Sequence, residues 1–328
     1  KETVSVDDKG FWRRGPTAGD FSHVDVLADL TGKAIKFIED KATDKAPFFL
    51  YFPLPAPHTP ILPTTEFMGK SNTNMYGDFV MQVDDVVRQI REVLERSDIR
   101  QNTFVVFTSD NGCSPKADFD ELEKVDHQPS YVFRGAKADI YEGGHRVPLI
   151  IEWPAGIKDN LKINKTVCTT DFFATFAEIS GFKIEDDQGE DSYSMLSLLS
   201  GDKNNYKREY TVHHSVNGSF AIRQGDWKLC FCPGSGGWSY PSPAIIKREE
   251  LQLPSMQLYN LKDDIGESQN IIDEYPQIAE KLKNAMAKII LDGRSTPGTT
   301  QLNDGMEDWW QVKPILKGNS NLINESNE

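Results

Sequence analysis

At 328 residues and a formal net charge of −14, the chain can bury about three quarters of the surface its unfolded form exposes. It is too acidic for a nucleic-acid binder, which needs clustered Lys and Arg against phosphate. No apolar run approaches the ~18 residues of a membrane span. Four cysteines, at 113, 168, 230 and 232, make a poor disulfide framework for this length. The chain opens on Lys1 rather than Met, so a segment upstream of it is expected. The polar stretch KETVSVDDKGFWRRG shows no secretory signal of its own.

In chain order, residues 1–22 are polar and Gly/Pro-bearing, an entry loop. Val24, Leu27, Ala28, Ala34, Ile35 and Ile38 follow helical spacing. The run Phe48–Phe52 is continuously apolar, the mark of a strand covered on both faces. It exits through Pro53, Pro55, Pro57 and Pro60, a stiff loop that carries His58. A lone histidine is ordinarily a surface residue, but this one follows a buried strand. From Tyr76 to Leu94 one apolar face predicts a long helix. Asp84 and Asp85 lie within it, pointing about 100° apart, and read as a solvated face.

A second β-rich run, Thr103–Thr108, stops at Ser109-Asp110-Asn111-Gly112. Such a tripeptide is commonly only a turn. At the carboxyl edge of a sheet, where ligands of open α/β sheets bind, it instead offers two hard oxygen donors suited to Ca²⁺ or Mg²⁺. Arg134-Gly135-Ala136-Lys137 and Glu142-Gly143-Gly144-His145-Arg146 bring cations back towards that edge. Val147–Trp153 predicts another strand and Asp171–Ile179 a short helix closed by Gly181. Alternating helix and strand implies a mainly parallel sheet flanked by helices.

The acidic run IEDDQGED (184–191) lacks EF-hand spacing and reads as solvated linker. Beyond it, Tyr210–His214, Phe220–Arg223, Trp227–Cys232 and Gln257–Leu261 predict a small antiparallel sheet. A helix through Ile278, Leu282, Ala285, Met286 and Ile289 packs on it. Cys230 and Cys232 read as strand residues on one face rather than a metal pair. The tail GRSTPGTTQLNDGMEDWW is Gly/Pro-rich and ends on two tryptophans. Asn164, Asn217 and Asn324 open glycosylation tripeptides. The expected division is 1–200 for part of a large α/β domain and 201–328 for a small α+β subdomain with its tail.

SDNG after an apolar strand, followed by FRGAKADIYEGGHRVP, resembles the second half of a sulfatase of the alkaline phosphatase superfamily. FFLYFPLPAPHTP (48–60) is similar to the segment with that family's active-site histidine. The Asp171 helix, Gly225-Asp226-Trp227-Lys228-Leu229 and Leu258-Tyr259-Asn260-Leu261 resemble its C-terminal region. The resemblance runs through nearly the whole chain in the right order. It implies an alkaline-phosphatase-like α/β fold, incomplete here, and hydrolysis of a sulfate ester. Asp110 and Asn111 would be calcium ligands, Mg²⁺ suiting the site less well. Lys137 would bind the sulfate and reach the leaving oxygen, and His58 would donate to that oxygen. His145, Arg146 and His127 are weaker substrate-binding candidates, with Arg146 expected to pair with Glu142.

The resemblance also implies a formylglycine nucleophile, made by a formylglycine-generating enzyme from a C/S-x-P-x-R segment that follows a strand ending in Asp-Asp. Neither feature is in this sequence. Cys113-Ser114-Pro115-Lys116-Ala117 has Ala where Arg should stand and sits on the wrong side of Asp110. The Asp-Asp pairs at 84, 186 and 263 follow no apolar strand. The chain alone is therefore expected to lack turnover, to bind calcium poorly, and to dissolve poorly through an uncovered sheet edge. The substrate implied is a sulfated sugar or aryl sulfate, and the location extracytoplasmic. A phosphate or phosphonate ester hydrolase of the same superfamily, and a degenerate homologue that binds sulfated glycans without cleaving them, are the alternatives.

Overall fold

The computed structural model describes residues 16–44, 46–157, 161–303 and 309–316. In chain order the elements are α1 (Val26–Ala42), α2 (Met75–Arg96), β1 (Val105–Thr108), α3 (Phe119–Glu123), α4 (Glu142–His145), β2 (Leu149–Glu152), α5 (Asp171–Ser180), α6 (Leu196–Leu199), β3 (Thr211–His214), β4 (Phe220–Gln224), β5 (Trp227–Cys230), α7 (Pro243–Arg248), β6 (Gln257–Asn260), α8 (Pro276–Asp292) and α9 (Lys313–Leu316). They fall into two compact units. The first holds the residues up to Phe107, Cys113–Pro129 and Ile150–Ala155. The second holds Thr108–Gly112, Ser130–Leu149 and the residues from Gly156 onward.

In the first unit, α2 starts where the Asn74 side chain accepts from the amides of Tyr76 and Gly77, satisfying two donors that a helix start leaves open. Its apolar stripe then meets α1. Phe79, Val83 and Val86 pack with Leu27, and Val93 and Leu94 pack with Ile38. Asp84 is exposed and Asp85 pairs with Arg88 at 2.6 Å, so the acidic pair is a solvated face. β1 and β2 form a two-stranded sheet.

The run Phe48–Phe52 departs from expectation, since it forms no strand. Phe48 and Leu50 pack into the α1–α2 core, whereas Phe49 is 71 % and Tyr51 77 % exposed. The apolar run is extended and one-sided, and a strand assignment needs a ladder partner that it lacks among the described residues. The mainly parallel sheet is likewise not among the described residues, whose sheets are the β1–β2 pair and the one below.

The second unit is built on an antiparallel sheet of order β3-β4-β5-β6. Gly225 and Asp226 make the two-residue β4–β5 turn, with Gln224 opposite Trp227. Gly225 has φ +58°, a left-handed conformation glycine adopts without strain. Because side chains alternate along a strand, the sheet has two distinct faces. Ile222, Leu229 and Leu258 meet Leu282, Met286 and Ala287 of α8. Ala221, Cys230 and Tyr259 meet Ile140 and Tyr141, together with Cys232. Cys230 and Cys232 are buried free thiols, packing residues as the spacing suggested.

Two polar pins hold the rest of this unit. Asp171 is fully buried and its carboxylate accepts from the Cys168 amide at 2.9 Å, the Tyr193 amide at 3.0 Å, the Tyr206 hydroxyl at 3.1 Å and the Arg208 guanidinium. The acidic run 184–191, exposed over most of its length, is nevertheless tied down as a second pin. Asp186 accepts from Arg294 at 3.1 Å and from the Thr299 amide at 2.9 Å, and the Ser295 and Thr296 amides donate to Glu190 O. Arg294 is 6 % exposed, and a buried guanidinium must find acceptors. Trp309 and Trp310 are exposed; residues 304–308 of the tail and the Asn324 tripeptide lie outside the described residues.

Asp171→Ala strands a buried guanidinium, and such broken pairs cost about 3–5 kcal/mol. Denaturant unfolding followed by circular dichroism should show a loss of that size, against less than about 1 kcal/mol for an exposed control such as Lys36→Ala, whose pair with Asp40 lies on the surface.

Candidate active site

The residues singled out by sequence fall in both units. His58 and His127 belong to the first, Asp110, Asn111, Lys137, His145 and Arg146 to the second. In the second unit the loop 109–112 and the turn 134–139 are brought together by glycines. The Gly112 amide donates to Gly144 O at 3.0 Å and the Gly143 amide to Arg134 O at 2.8 Å. A Cβ on Gly112 would lie 1.7 Å from Gly143 O, and one on Gly143 would lie 2.3 Å from Gly135 O. No side chain fits there. The Asp-Asn-Gly loop, α4 and the Lys137 turn thus pack backbone to backbone. Asp110 is exposed at this junction, Asn111 and Lys137 half-buried. The Asn111 Nδ2 donates to Gly112 O at 3.0 Å and the Ser109 hydroxyl to Asn111 O at 3.0 Å.

Beneath α4 lies a buried charge cluster. Lys228 is fully buried on the sheet face away from α8. Its Nζ is 3.1 Å from Glu142 Oε1 and 2.8 Å from Glu267 Oε1. At these distances the ammonium is shared between the two carboxylates. Arg223 and Arg146 reach Glu142 Oε2 at 3.0 and 3.5 Å, and the Glu142 amide donates to Glu267 Oε2 at 2.6 Å. Arg134 donates to Glu267 O at 2.7 Å and lies 4.0 Å over the Tyr141 ring. Burial works against each charge. For Glu142 the neighbouring Lys228 and Arg223 outweigh it and hold the carboxyl below its usual range. For Lys228 the two glutamates outweigh it and hold the ammonium charged. Glu267 is pushed up, burial prevailing.

Asp139 stitches the Lys137 turn to the loop after β5. Its buried carboxylate accepts from the amides of Ala136 at 2.8 Å, Trp238 at 2.8 Å and Ser239 at 3.0 Å, and from the Ser239 hydroxyl. Neither Asp139 nor Glu267 was visible as a functional residue in the sequence, since an acid in a loop reads as solvated. Lys228, a lone charge within an apolar strand run, was the signal available.

His145 stacks on His213 with ring centroids 4.2 Å apart. His213 Nε2 donates to Ile140 O at 3.2 Å, which fixes its tautomer. Burial first, then the charge of Lys228, push His145 down to about 4 and His213 well down. Both rings are neutral at pH 7, and His145 Nε2 is buried without a partner. His58 is exposed, with its Nδ1 2.8 Å from Thr59 O and 3.3 Å from the Thr59 hydroxyl. His127 is exposed. Cys113 bonds the Tyr76 hydroxyl at 3.3 Å, and burial pushes its thiol up, which makes a poor nucleophile. Among the described residues no group of three or more His, Cys, Asp or Glu side chains is placed to hold a metal ion. Asp110 and Asn111 have the hard-oxygen chemistry of a calcium site but supply two of the roughly six to eight donors one needs.

An acid–amide pair at a strand end, with a lysine turn packed against it, suits an oxyanion held beside a hard cation. Comparisons with known proteins give the family. The sulfatase family model matches residues 16–182, just over half of the chain, and a model described as N-sulphoglucosamine sulphohydrolase, C-terminal, matches residues 136–238. The chain belongs to the sulfatase family, of the alkaline phosphatase superfamily. It is 31 % identical over 286 residues to the N-acetylgalactosamine-6-O-sulfatase of Bacteroides thetaiotaomicron, covering 85 % of this chain and 53 % of that one. It is 28 % identical over 288 residues to the N-acetylgalactosamine-6-sulfatase of Mus musculus, covering 83 % and 54 %. A solved structure from the metabolism of multiple glycosaminoglycans by Bacteroides thetaiotaomicron superposes with a TM-score of 0.71 at 31 % identity, covering 82 % of this chain and 55 % of that one. The chain thus spans about half the length of these relatives.

The pH dependence of stability follows from the histidine pair. A folded-state value near 4 for His145, against 6.5 unfolded, means that stability is fully present above pH 6.5 and is lost as pH falls towards 4. The loss is on the order of 3 kcal/mol for this ring. His145→Ile should flatten the dependence, read as the difference in unfolding free energy between pH 7.5 and pH 5. An unchanged slope would mean that His145 is not buried neutral.

Proposed function

We propose that this chain is part of a sulfuric ester hydrolase that removes sulfate from a sulfated carbohydrate. The observation that carries the reading is the glycine-packed junction of the Asp110–Asn111 loop with the Lys137 turn, within a chain of the sulfatase family. In hydrolysis of a sulfate ester, negative charge builds on the sulfuryl oxygens and the departing oxygen. Lys137 binds the sulfate through its ammonium and reaches the leaving oxygen. His58 donates a hydrogen bond or proton to that oxygen. Asp110 and Asn111 would supply two of the oxygens of a calcium site, and the ion would provide Lewis-acid polarisation of the sulfate. His145, packed on His213, and His127 are weaker substrate-binding candidates, while Arg146 acts through Glu142.

The nucleophile is proposed to be a formylglycine outside this sequence, which holds no C/S-x-P-x-R segment. The proposal includes the mainly parallel sheet, an extracytoplasmic location and a formylglycine-generating enzyme as partner. The relatives act on 6-O-sulfated N-acetylgalactosamine by name, which makes sulfated galactosamine or galactose the first substrate to try. No described helix is long and apolar enough to cross a membrane.

In the full-length protein, Lys137→Ala should lower kcat/KM for an aryl sulfate by about a hundredfold or more, the scale of losing one oxyanion-stabilising donor. Equal turnover by the variant, or a preference for phosphate over sulfate esters in wild type, would exclude the reading. The 328-residue chain by itself should show no turnover, and calcium titration should give only weak binding.

A further inference from the structure

The loop after β5, CPGSGGWSYPS (232–242), combines two properties that rarely coincide. Its backbone is buried and fixed. Ser235 N donates to Pro241 O at 3.0 Å, the Gly237 amide to Ser235 Oγ at 3.1 Å and Gln257 Nε2 to Cys232 O and Gly234 O, both at 2.8 Å. A Cβ on Gly237 would lie 2.5 Å from Ala138 O. Within this chain its two large side chains are nevertheless open, Trp238 54 % and Tyr240 64 % exposed. Leaving an indole and a phenol ring exposed forgoes the burial that normally stabilises a loop. Holding them on an immobile backbone removes in advance most of the ordering cost of binding.

The loop is also attached to one place. The Asp139 carboxylate bonds the Trp238 and Ser239 amides and the Ser239 hydroxyl, and the Ile140 amide donates to Ser235 O at 2.8 Å. Asp139 is two residues from Lys137, so the aromatics are tied through one buried carboxylate to the turn that carries the sulfate-binding lysine. The exposed area indicates the size of the ligand. Two partly exposed rings offer a few hundred Å² at most, well short of the roughly 1,200–2,000 Å² of a stable protein interface. That area fits the apolar face of one or two pyranose rings.

We propose that Trp238 and Tyr240 form a stacking subsite for the sugar rings of an oligosaccharide whose sulfated residue is held at Lys137. The sulfate half of this statement rests on the function proposed above, and the stacking half does not. The subsite recognises C–H faces of a ring, so it contributes equally with and without sulfate on the ligand.

The test uses the full-length protein and a panel of galactose- and hexosamine-containing tetrasaccharides, each 6-O-sulfated or chemically desulfated, with affinity read by calorimetry. Trp238→Ala and Tyr240→Ala should weaken sulfated and desulfated ligands by the same factor, about five- to tenfold for the indole, and Trp238→Phe should restore part of it. Lys137→Ala should weaken only the sulfated ones. Both aromatic positions are exposed, and an unchanged circular dichroism melt would show that the variants fold. Wild-type affinity of Trp238→Ala for every tetrasaccharide overturns the subsite whatever Lys137→Ala does. Loss confined to sulfated ligands in Trp238→Ala also overturns it, because stacking is blind to sulfate. Equal wild-type affinity for sulfated and desulfated tetrasaccharides, with the Trp238 effect intact, overturns the sulfatase reading and leaves the sugar platform standing.

Discussion

The ion cluster of Lys228 with Glu142 and Glu267 is the interaction on which the second unit depends. A fully buried ammonium is tolerable only with its charge matched and its geometry fixed, and both requirements reach outward from it. Glu142 opens α4, so fixing its carboxylate fixes the helix. The helix carries Gly143 and Gly144, which allow the Asp110–Asn111 loop and the Lys137 turn to close on it. The candidate site is thus set from below by charge and from the side by the absence of side chains. Either alone would leave it loose. Exchange of Gly112 for any other residue drives a Cβ into Gly143 O, while loss of Lys228 leaves two carboxylates in the interior with fewer cations.

Asp139 plays the same part for the opposite edge of the turn. It is buried, and its carboxylate accepts from four N–H and O–H donors, which satisfy a polar group that burial would otherwise leave without partners. The pattern across the unit is consistent: Asp171, Glu142 and Asp139 each gather several donors from segments far apart in sequence. Long-range registration is delegated to buried carboxylates, and the sheet and α8 supply the apolar mass.

Much of this was legible in the sequence. Periodicity marked α1, α2, α5 and α8, and turn residues separated β3 to β6 correctly, because these elements carry their pattern locally. The candidate site residues were singled out through motifs: a strand ended by Asp110-Asn111-Gly112 and cations regrouped at Lys137 and Arg146. What was not legible has a common physical cause, dependence on a distant partner. Phe48–Phe52 has strand composition but no ladder, and its alternation of Phe49 and Tyr51 outward cannot be distinguished from two-sided burial in a run with no polar residue. Asp186, Asp139 and Glu267 look like solvated loop acids until Arg294, Ser239 and Lys228 are placed beside them.

The measurement that bears most directly on the account is a crystal structure of the full-length protein with calcium and an uncleavable sulfate-ester analogue such as a sulfamate of galactosamine. The account predicts the sulfuryl oxygens within hydrogen-bond distance of Lys137 Nζ and the cation at ~2.3–2.6 Å from oxygens of Asp110 and Asn111. A sulfuryl group bound elsewhere, with Asp110 and Asn111 turned to solvent and no cation upon them, would contradict it.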